Sequence, residues 1–362
     1  MITDAVLEQG VVRGIVTTEQ VTSLRTLARD MAAVAAPEPE DDEKLRFVTG
    51  FSDIFVTLGL GLFLGALGYF ASLYGYHAMW PVLAVASWLL AEFFTRHRRM
   101  ALPSIALLAL FAVSVLATAG FTLKWFLLSE LEYVTTSTEA LTAWNYEESR
   151  PWTIVVSALV TVALTALHYL RFRVPITVAA GAAALVLAII GLLGAIFPSP
   201  SKDVVFLALF LCGCAIFALA MRFDLSDPER VTRRNDIAFW LHLLAAPLIV
   251  HPVISQFVGD QLLSQVGTAV AVLAIFFLLA VVAVVIDRRA ILVSGLAYAG
   301  YAFASLIKQV GFEDQTMPAT LLALGAFVLL LSAGWKPVRT ALLGLLPAHL
   351  AQRLPHPILS SS

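Results

Sequence analysis

The sequence predicts an all-α, polytopic transmembrane helical bundle of about ten spans, with the N-terminus and the C-terminus cytoplasmic. Three observations carry this expectation. Between Ile54 and Gly334 the 362-residue chain runs through long apolar stretches closed by short polar turns. Charged residues make up 13% and hydrophobic residues 60%, whereas soluble domains carry roughly 25% charge. Basic residues also gather at every second junction between the stretches. No segment alternates apolar and polar residues with period two over a strand's length, which excludes a membrane β-barrel.

Residues 1–50 read as a small cytoplasmic helical segment followed by an acidic linker. Residues 4–12, DAVLEQGVV, predict a short helix that Gly14 ends. Thr17 stands three residues before Gln20, the spacing of a capping box, in which each side chain bonds the other residue's backbone N–H. Behind it Val21, Leu24, Leu27, Ala28 and Met31 recur at helical intervals and predict an amphipathic helix over about 18–33. The stretch PEPEDDEK combines prolines with mutually repelling acids, so it reads as a linker. The whole segment is polar and precedes the first apolar stretch by too much for a cleavable signal peptide.

The predicted spans are 54–75, 78–95, 101–128, 152–170, 174–197, 203–221, 237–257, 263–286, 290–308 and 317–334. A helix needs about 20 residues to cross roughly 30 Å of hydrocarbon, and these stretches have that length. Charge tests the count separately. One set of junctions holds Lys44 and Arg46; Arg96, Arg98 and Arg99; Arg171 and Arg173; Arg222, Arg230, Arg233 and Arg234; Arg288 and Arg289; and Lys336, Arg339 and Arg353. The opposite set holds Lys124, Arg150, Lys202 and Lys308. A missed or invented span would invert the sign of every later loop, so the regular alternation supports ten. Trp80, Trp125 and Trp152 fall at expected outer edges, and Trp240 and Trp335 at inner ones, as an aromatic belt places them. Residues 336–362 predict a cytoplasmic tail whose segment ALLGLLPAHLAQRLP forms a short interfacial helix interrupted by Pro347.

A faint internal repeat accompanies this pattern. SDIFV at 52–56 resembles NDIAF at 235–239, and RRMAL at 98–102 resembles RRAIL at 288–292. These matches relate spans one to four to spans seven to ten in parallel.

Few residues are available for chemistry. Cys212 and Cys214, two apart on a helix, point about 200° from each other, so they form no local disulfide and share no metal. No metal-ligand cluster, nucleophile triad or phosphate loop stands out, so no catalytic residue, metal or cofactor is expected. A net charge of −2 gives no reason to expect nucleic acid, and membrane lipids are the expected partners. Gly61, Gly65 and Gly68 recur at four and three residues in the first span, on one helix face that lets a neighbouring backbone approach. Glu92 stands one turn before Arg96 and predicts an ion pair with it. The loop over 129–151 carries Glu130, Glu132, Glu139, Glu147 and Glu148, too dispersed for a calcium site.

The seventh span and its approach, MRFDLSDPERVTRRNDIAFWLHLLAAPLIVHP, are the richest region. Pro247 removes an internal hydrogen bond and Pro252 follows, which predicts a kinked or interrupted helix. His242 and His251 are titratable groups at membrane depth, candidates for lining a cavity or coupling transport to a proton or ion. Nine residues apart on an ideal helix, they face opposite ways about 13 Å apart. Asp236 or Asn235 is expected to cap the helix. Arg230, Arg233 and Arg234 are candidates for contacting anionic headgroups.

Two segments resemble known sequences. GIVTTEQVTSLRTLA followed by many spans resembles bacterial integral membrane proteins that open with a small helical segment of that pattern. SDPERVTRRNDIAFWLHLLAAPLIVHP resembles a stretch of hypothetical proteobacterial inner-membrane proteins. The resemblance implies a bacterial inner-membrane location and no particular chemistry. The expected function is transport or translocation of a small solute or lipid through a cavity beside His242, Pro247 and His251. The alternative is a membrane scaffold or sensor that binds a partner through the N-terminal helices or the acidic loop.

Overall fold

The computed structural model describes residues 11–23, 51–128, 151–197, 199–227, 232–257, 266–309, 315–347 and 354. The chain divides into two units, residues 1–46 and 47–362. In the first, the capping box forms as expected: Thr17 N–H donates to Gln20 Oε1 at 2.9 Å and Gln20 N–H to Thr17 Oγ1 at 3.3 Å. Residues 18–23 are helical behind it. Gly14, at φ 68°, closes the preceding helical stretch, a left-handed backbone that glycine adopts without a Cβ penalty. The rest of the expected amphipathic helix, the acidic linker and most of the loop over 129–151 lie outside the described residues.

The second unit is a helical bundle with a helix at each expected span. In chain order these are α1 (Phe51–Ser72), α2 (Tyr76–Ala91), α3 (Ala101–Leu128), α4 (Pro151–Phe172), α5 (Ile176–Ile196), α6 (Lys202–Leu225), α7 (Arg233–Phe257), α8 (Val266–Ile286), α9 (Ala290–Gln309) and α10 (Thr316–Ala333). A short α11 (Trp335–Gly344) follows. Among the described residues, nine helices are long and apolar enough to cross a membrane, and the 20-residue α9 occupies the remaining expected span. The protein is therefore an all-α, multi-pass integral membrane protein. Its outer surface agrees: Leu58, Leu62 and Phe63 on α1 and Leu321, Leu322 and Leu329 on α10 are all exposed. Apolar side chains so placed are stable in lipid and would form an adhesive patch in water.

Consecutive helices pack against each other throughout, and α5 joins two groups, touching α3 and α4 on one side and α6 and α7 on the other. In both α1–α4 and α7–α10, neighbours in sequence touch and the first helix also touches the third. The helix α7 is the most enclosed. Half of its most apolar window, 50%, is buried, against 6% for α10. Its residues enter three separate packed clusters: with α5 and α6 through Leu241 and Ala245, with α8 and α9 through Val250 and Ile254, and with α8, α9 and α11 through Ala246. Small residues make these contacts close, because lipid supplies no hydrophobic drive between helices and packing must do so instead.

The sharpest of these approaches is at Gly213 on α6. A Cβ there would lie 2.8 Å from Ile249 Cγ1 and 3.0 Å from the backbone carbon of Leu248. The glycines singled out on α1 behave differently. Gly68 meets Leu83 of α2, but nothing lies within 4 Å of a Cβ built at Gly61 or Gly65. Within this chain, close packing is thus made by Gly68 alone of the three.

Three tight reversals occur at one end of the bundle. Arg99 (φ 55°), Arg173 (φ 55°) and Asp287 (φ 58°) each adopt the left-handed backbone between α2 and α3, α4 and α5, and α8 and α9. That conformation costs non-glycine residues about 1–2 kcal/mol, and here it turns the chain straight into the next helix. These turns carry Arg96, Arg98 and Arg99, Arg171 and Arg173, and Arg288 and Arg289, so this is called the arginine end below. The last turn of α2 widens into a π-helical segment, Glu92–His97, with Arg98 N–H donating to Phe93 O at 3.0 Å.

Several expectations are corrected here. Of the two outcomes expected for α7, a kink or an interruption, the interruption does not occur: the helix is continuous across Pro247 and Pro252. The carbonyls four residues before each proline lose one donor apiece, a loss that transmembrane helices tolerate among packed neighbours. Its cap is Thr232, whose Oγ1 accepts from Arg234 N–H at 3.2 Å, rather than Asp236 or Asn235. Trp335 is no belt residue: it is buried, and its Nε1–H donates to Asp287 Oδ1 at 2.7 Å. Trp152, 54% exposed, does suit the belt.

Candidate functional site

His242 anchors a buried ionic cluster. The last turn of α6 carries Asp224, the first turn of α7 carries Asn235, and the left-handed turn at Asp287 directs the next residue, Arg288, back into the bundle. Asp224 is 1% exposed, and His242 and Arg288 are fully enclosed. Its Oδ2 accepts from His242 Nε2 at 2.8 Å and from Arg288 Nε at 3.2 Å. The Nη2 group of Arg288 donates to Asp224 Oδ1 and to Asn235 Oδ1, the latter at 2.6 Å. One carboxylate is thus matched by one guanidinium in a bidentate pair, the geometry that best offsets desolvation. A carboxylate only accepts, so Nε2 of His242 is the donor in this contact. Its Nδ1 is buried with no hydrogen-bond partner among the described residues, and the ring of Phe217 meets the imidazole edge-on at 5.2 Å.

The remaining candidates are not gathered round this cluster. Pro247 is exposed on the outside of α7, whereas His242 is fully enclosed. Leu241, Ala245 and Ala246, close to His242 along α7, are all buried. His251 lies towards the other end of α7, is exposed, and hydrogen-bonds the Tyr298 hydroxyl through Nδ1. Phe206 of α6 meets its ring edge-on at 5.6 Å. The two histidines therefore have separate partners, as their helical spacing predicts. Arg233 and Arg234 are exposed beside Thr232, and Arg230 lies outside the described residues.

A different feature appears in the other half of the bundle. A cleft of about 890 Å³ is enclosed by α2, α3 and α4, within the range of ligand sites, roughly 300–1,000 Å³. Pro81, Val85, Trp88 and Leu89 line it from α2, Phe111, Val115 and Thr118 from α3, and Val156, Val160 and Leu167 from α4. It opens sideways, since Val85, Leu89, Val160 and Leu167 are all more than a third exposed. Among the described residues no charged side chain lines it; its hydroxyls are those of Thr118 and Thr122, and that of Thr118 donates to Ser114 O at 2.6 Å.

Behind the lining, His168 is buried among aromatic rings, 5.6 Å from Trp88, 5.4 Å from Phe111 and 4.5 Å from Phe172 between centroids. Its Nδ1 approaches Thr177 Oγ1 at 3.4 Å. Nearer the arginine end, Glu92 accepts from Arg171 Nε at 2.7 Å and Nη2 at 3.0 Å, and from Arg96 Nη1 at 3.3 Å. The expected Glu92–Arg96 pair forms. The stronger bidentate partner, Arg171, comes from α4 and was visible in the sequence only as a topology charge. Asp224 and Arg288 escaped for the same reason.

No family model, curated protein or solved structure matches the chain.

Proposed function

We propose that the protein is a translocase or transporter of lipid-like solutes, seated in a bacterial inner membrane, and that the lateral cleft holds the apolar part of the solute. The single observation that carries this reading is the cleft's chemistry: a volume of about 890 Å³ walled by apolar side chains within membrane-spanning helices. A small hydrated ion or sugar would lose its water there and regain no hydrogen bonds, at several kcal/mol per polar group. An acyl chain loses nothing, and the sideways opening lets it enter from the bilayer without crossing water. In this reading the ionic cluster at His242 does not touch the solute. It ties α6, α7 and the turn after α8 into a frame beside which the cleft half works.

The test is transbilayer movement in proteoliposomes. Reconstituted protein is expected to speed the loss of a dithionite-quenchable lipid from the protected leaflet, and Val160→Trp, which places an indole in the cleft, is expected to slow it. A rate equal to that of protein-free vesicles would sink the proposal.

The alternative of a scaffold or sensor draws on one observation, the open face at Gly61 and Gly65, which would suit a second transmembrane helix. Cysteine cross-linking between α1 faces in native membranes would reveal such a contact, and a lack of cross-linked product would count against it.

A further inference from the structure

We infer that the cleft and the arginines beneath it form one site for an anionic phospholipid, with an acyl chain in the cleft and the phosphate on the guanidinium groups. The inference rests on the cleft being the solute site, and it adds the headgroup class.

Helix geometry aligns the two parts. Glu92 is four residues after Trp88, and Arg171 is four after Leu167, so each ionic residue lies on the same helix face as a cleft wall. Each sits about one turn, a rise of about 6 Å, nearer the arginine end. The α4 wall from Val156 to Leu167 rises about 17 Å, roughly half the thickness of the hydrocarbon core. One leaflet's acyl chain has that reach.

Charge selects the headgroup. The Glu92 carboxylate is shared by the Arg171 and Arg96 guanidinium groups, so one negative charge holds two positive ones in place. The arginine side chains remain 41% and 49% exposed and keep N–H groups that Glu92 does not occupy. Arg98, Arg99 and Arg173, all exposed, add positive charge at the same helix ends, with no acidic partner among the described residues. A topology signal accounts for arginines at this end, but not for two of them paired with one carboxylate a turn below a cleft. A phosphodiester brings one negative charge and two free oxygens, which guanidinium N–H pairs fit well.

The experiment uses full-length protein in phosphatidylcholine vesicles doped with chain-labelled phosphatidylglycerol or phosphatidylcholine, read as the motionally restricted fraction in spin-label spectra. Phosphatidylglycerol is expected to be restricted several-fold more strongly. Arg96→Gln, which leaves the Glu92–Arg171 pair intact, is expected to cut that preference by roughly fivefold. High salt on the unmodified protein should also reduce it, which keeps the test open if the variant does not fold. Val160→Trp is expected to reduce restriction of both lipids. Equal restriction of the two headgroups, with Val160→Trp still displacing both, would overturn the anionic assignment and leave the cleft as a solute site. If Val160→Trp displaces neither lipid, the cleft reading falls as well, and a preference that persists then reports only a basic surface.

Discussion

The pairs Arg98–Arg99 and Arg288–Arg289 stand in matching sequence contexts, RRMAL and RRAIL, each at a reversal between two helices. Their fates differ. Arg98 is exposed and lies 5.7 Å over the Phe93 ring, while Arg288 is fully enclosed and holds Asp224 and Asn235. The difference comes from the turn. In the first reversal the left-handed residue is the second arginine, Arg99; in the other it is Asp287, one place before the first arginine. Shifting the turn by two positions rotates the guanidinium from the surface into the bundle. A related contrast separates the two halves of the molecule: one encloses the Asp224–Arg288 ion pair at its helix ends, and the other leaves its arginines at the surface and an apolar cleft between its helices.

That comparison can be broken most forcefully at Arg288. Arg288→Met leaves Asp224 buried without its cation, and the expected cost is about 3–5 kcal/mol, seen as a large drop in the unfolding midpoint of the solubilised protein. Combining it with Asp224→Leu removes the stranded charge and should restore much of the loss, because well-packed apolar pairs rival buried ion pairs. If the double variant is no better than the single one, the cluster is not an isolated charge pair.

Gly213 tests the frame next. Gly213→Val would push against the backbone of Leu248 and the side chain of Ile249, with an expected cost of about 1–3 kcal/mol. An unfolding midpoint equal to that of the parent would show that α6 and α7 can separate freely.

In the cleft half, Val160→Trp should alter thermal stability little, since its site is open and more than a third exposed, yet it should slow lipid movement. A large stability loss without any effect on movement would reverse the roles assigned to the two halves. The smallest expected effect is Glu92→Gln. Its partners are well exposed, so solvent screening limits the loss to less than about 1 kcal/mol, and a change in headgroup preference should be easier to detect than a change in stability.

Local signals proved readable where the partners are close along the chain. The Thr17–Gln20 capping box and the Glu92–Arg96 pair both span one turn or less, and helical spacing alone specifies them. It also separated His242 from His251 correctly, because a continuous α7 keeps nine residues of rise between them. The cluster at His242 was legible only in part. The histidine stood out as a titratable group in an apolar span, but its partners lie 18 residues away, and Arg288 stands 64 residues from Asp224. Arginine at a helix end reads as a topology signal whether it faces headgroups or the interior.

The cleft was not legible at all. Leu, Val and Phe occupy lipid-facing, core and cleft positions alike, since lipid tails are as apolar as a leucine side chain. Nothing in the composition distinguishes Val160 at the cleft from Val155 in the core. Pro247 illustrates the opposite error: its chemistry suggested a break at a cavity, and packing placed it on the outer face of an unbroken helix.

The sequence by itself determined the number of helices, their lengths and the alternation of charged ends, because the cost of unpaired backbone and of charge in hydrocarbon acts residue by residue. Which charges meet, which faces touch and where a gap is left were decided by tertiary structure alone. Those outcomes depend on how α-helices rotate and approach one another, and a single small side chain such as Gly213, or one left-handed turn at Asp287, sets them across long sequence distances.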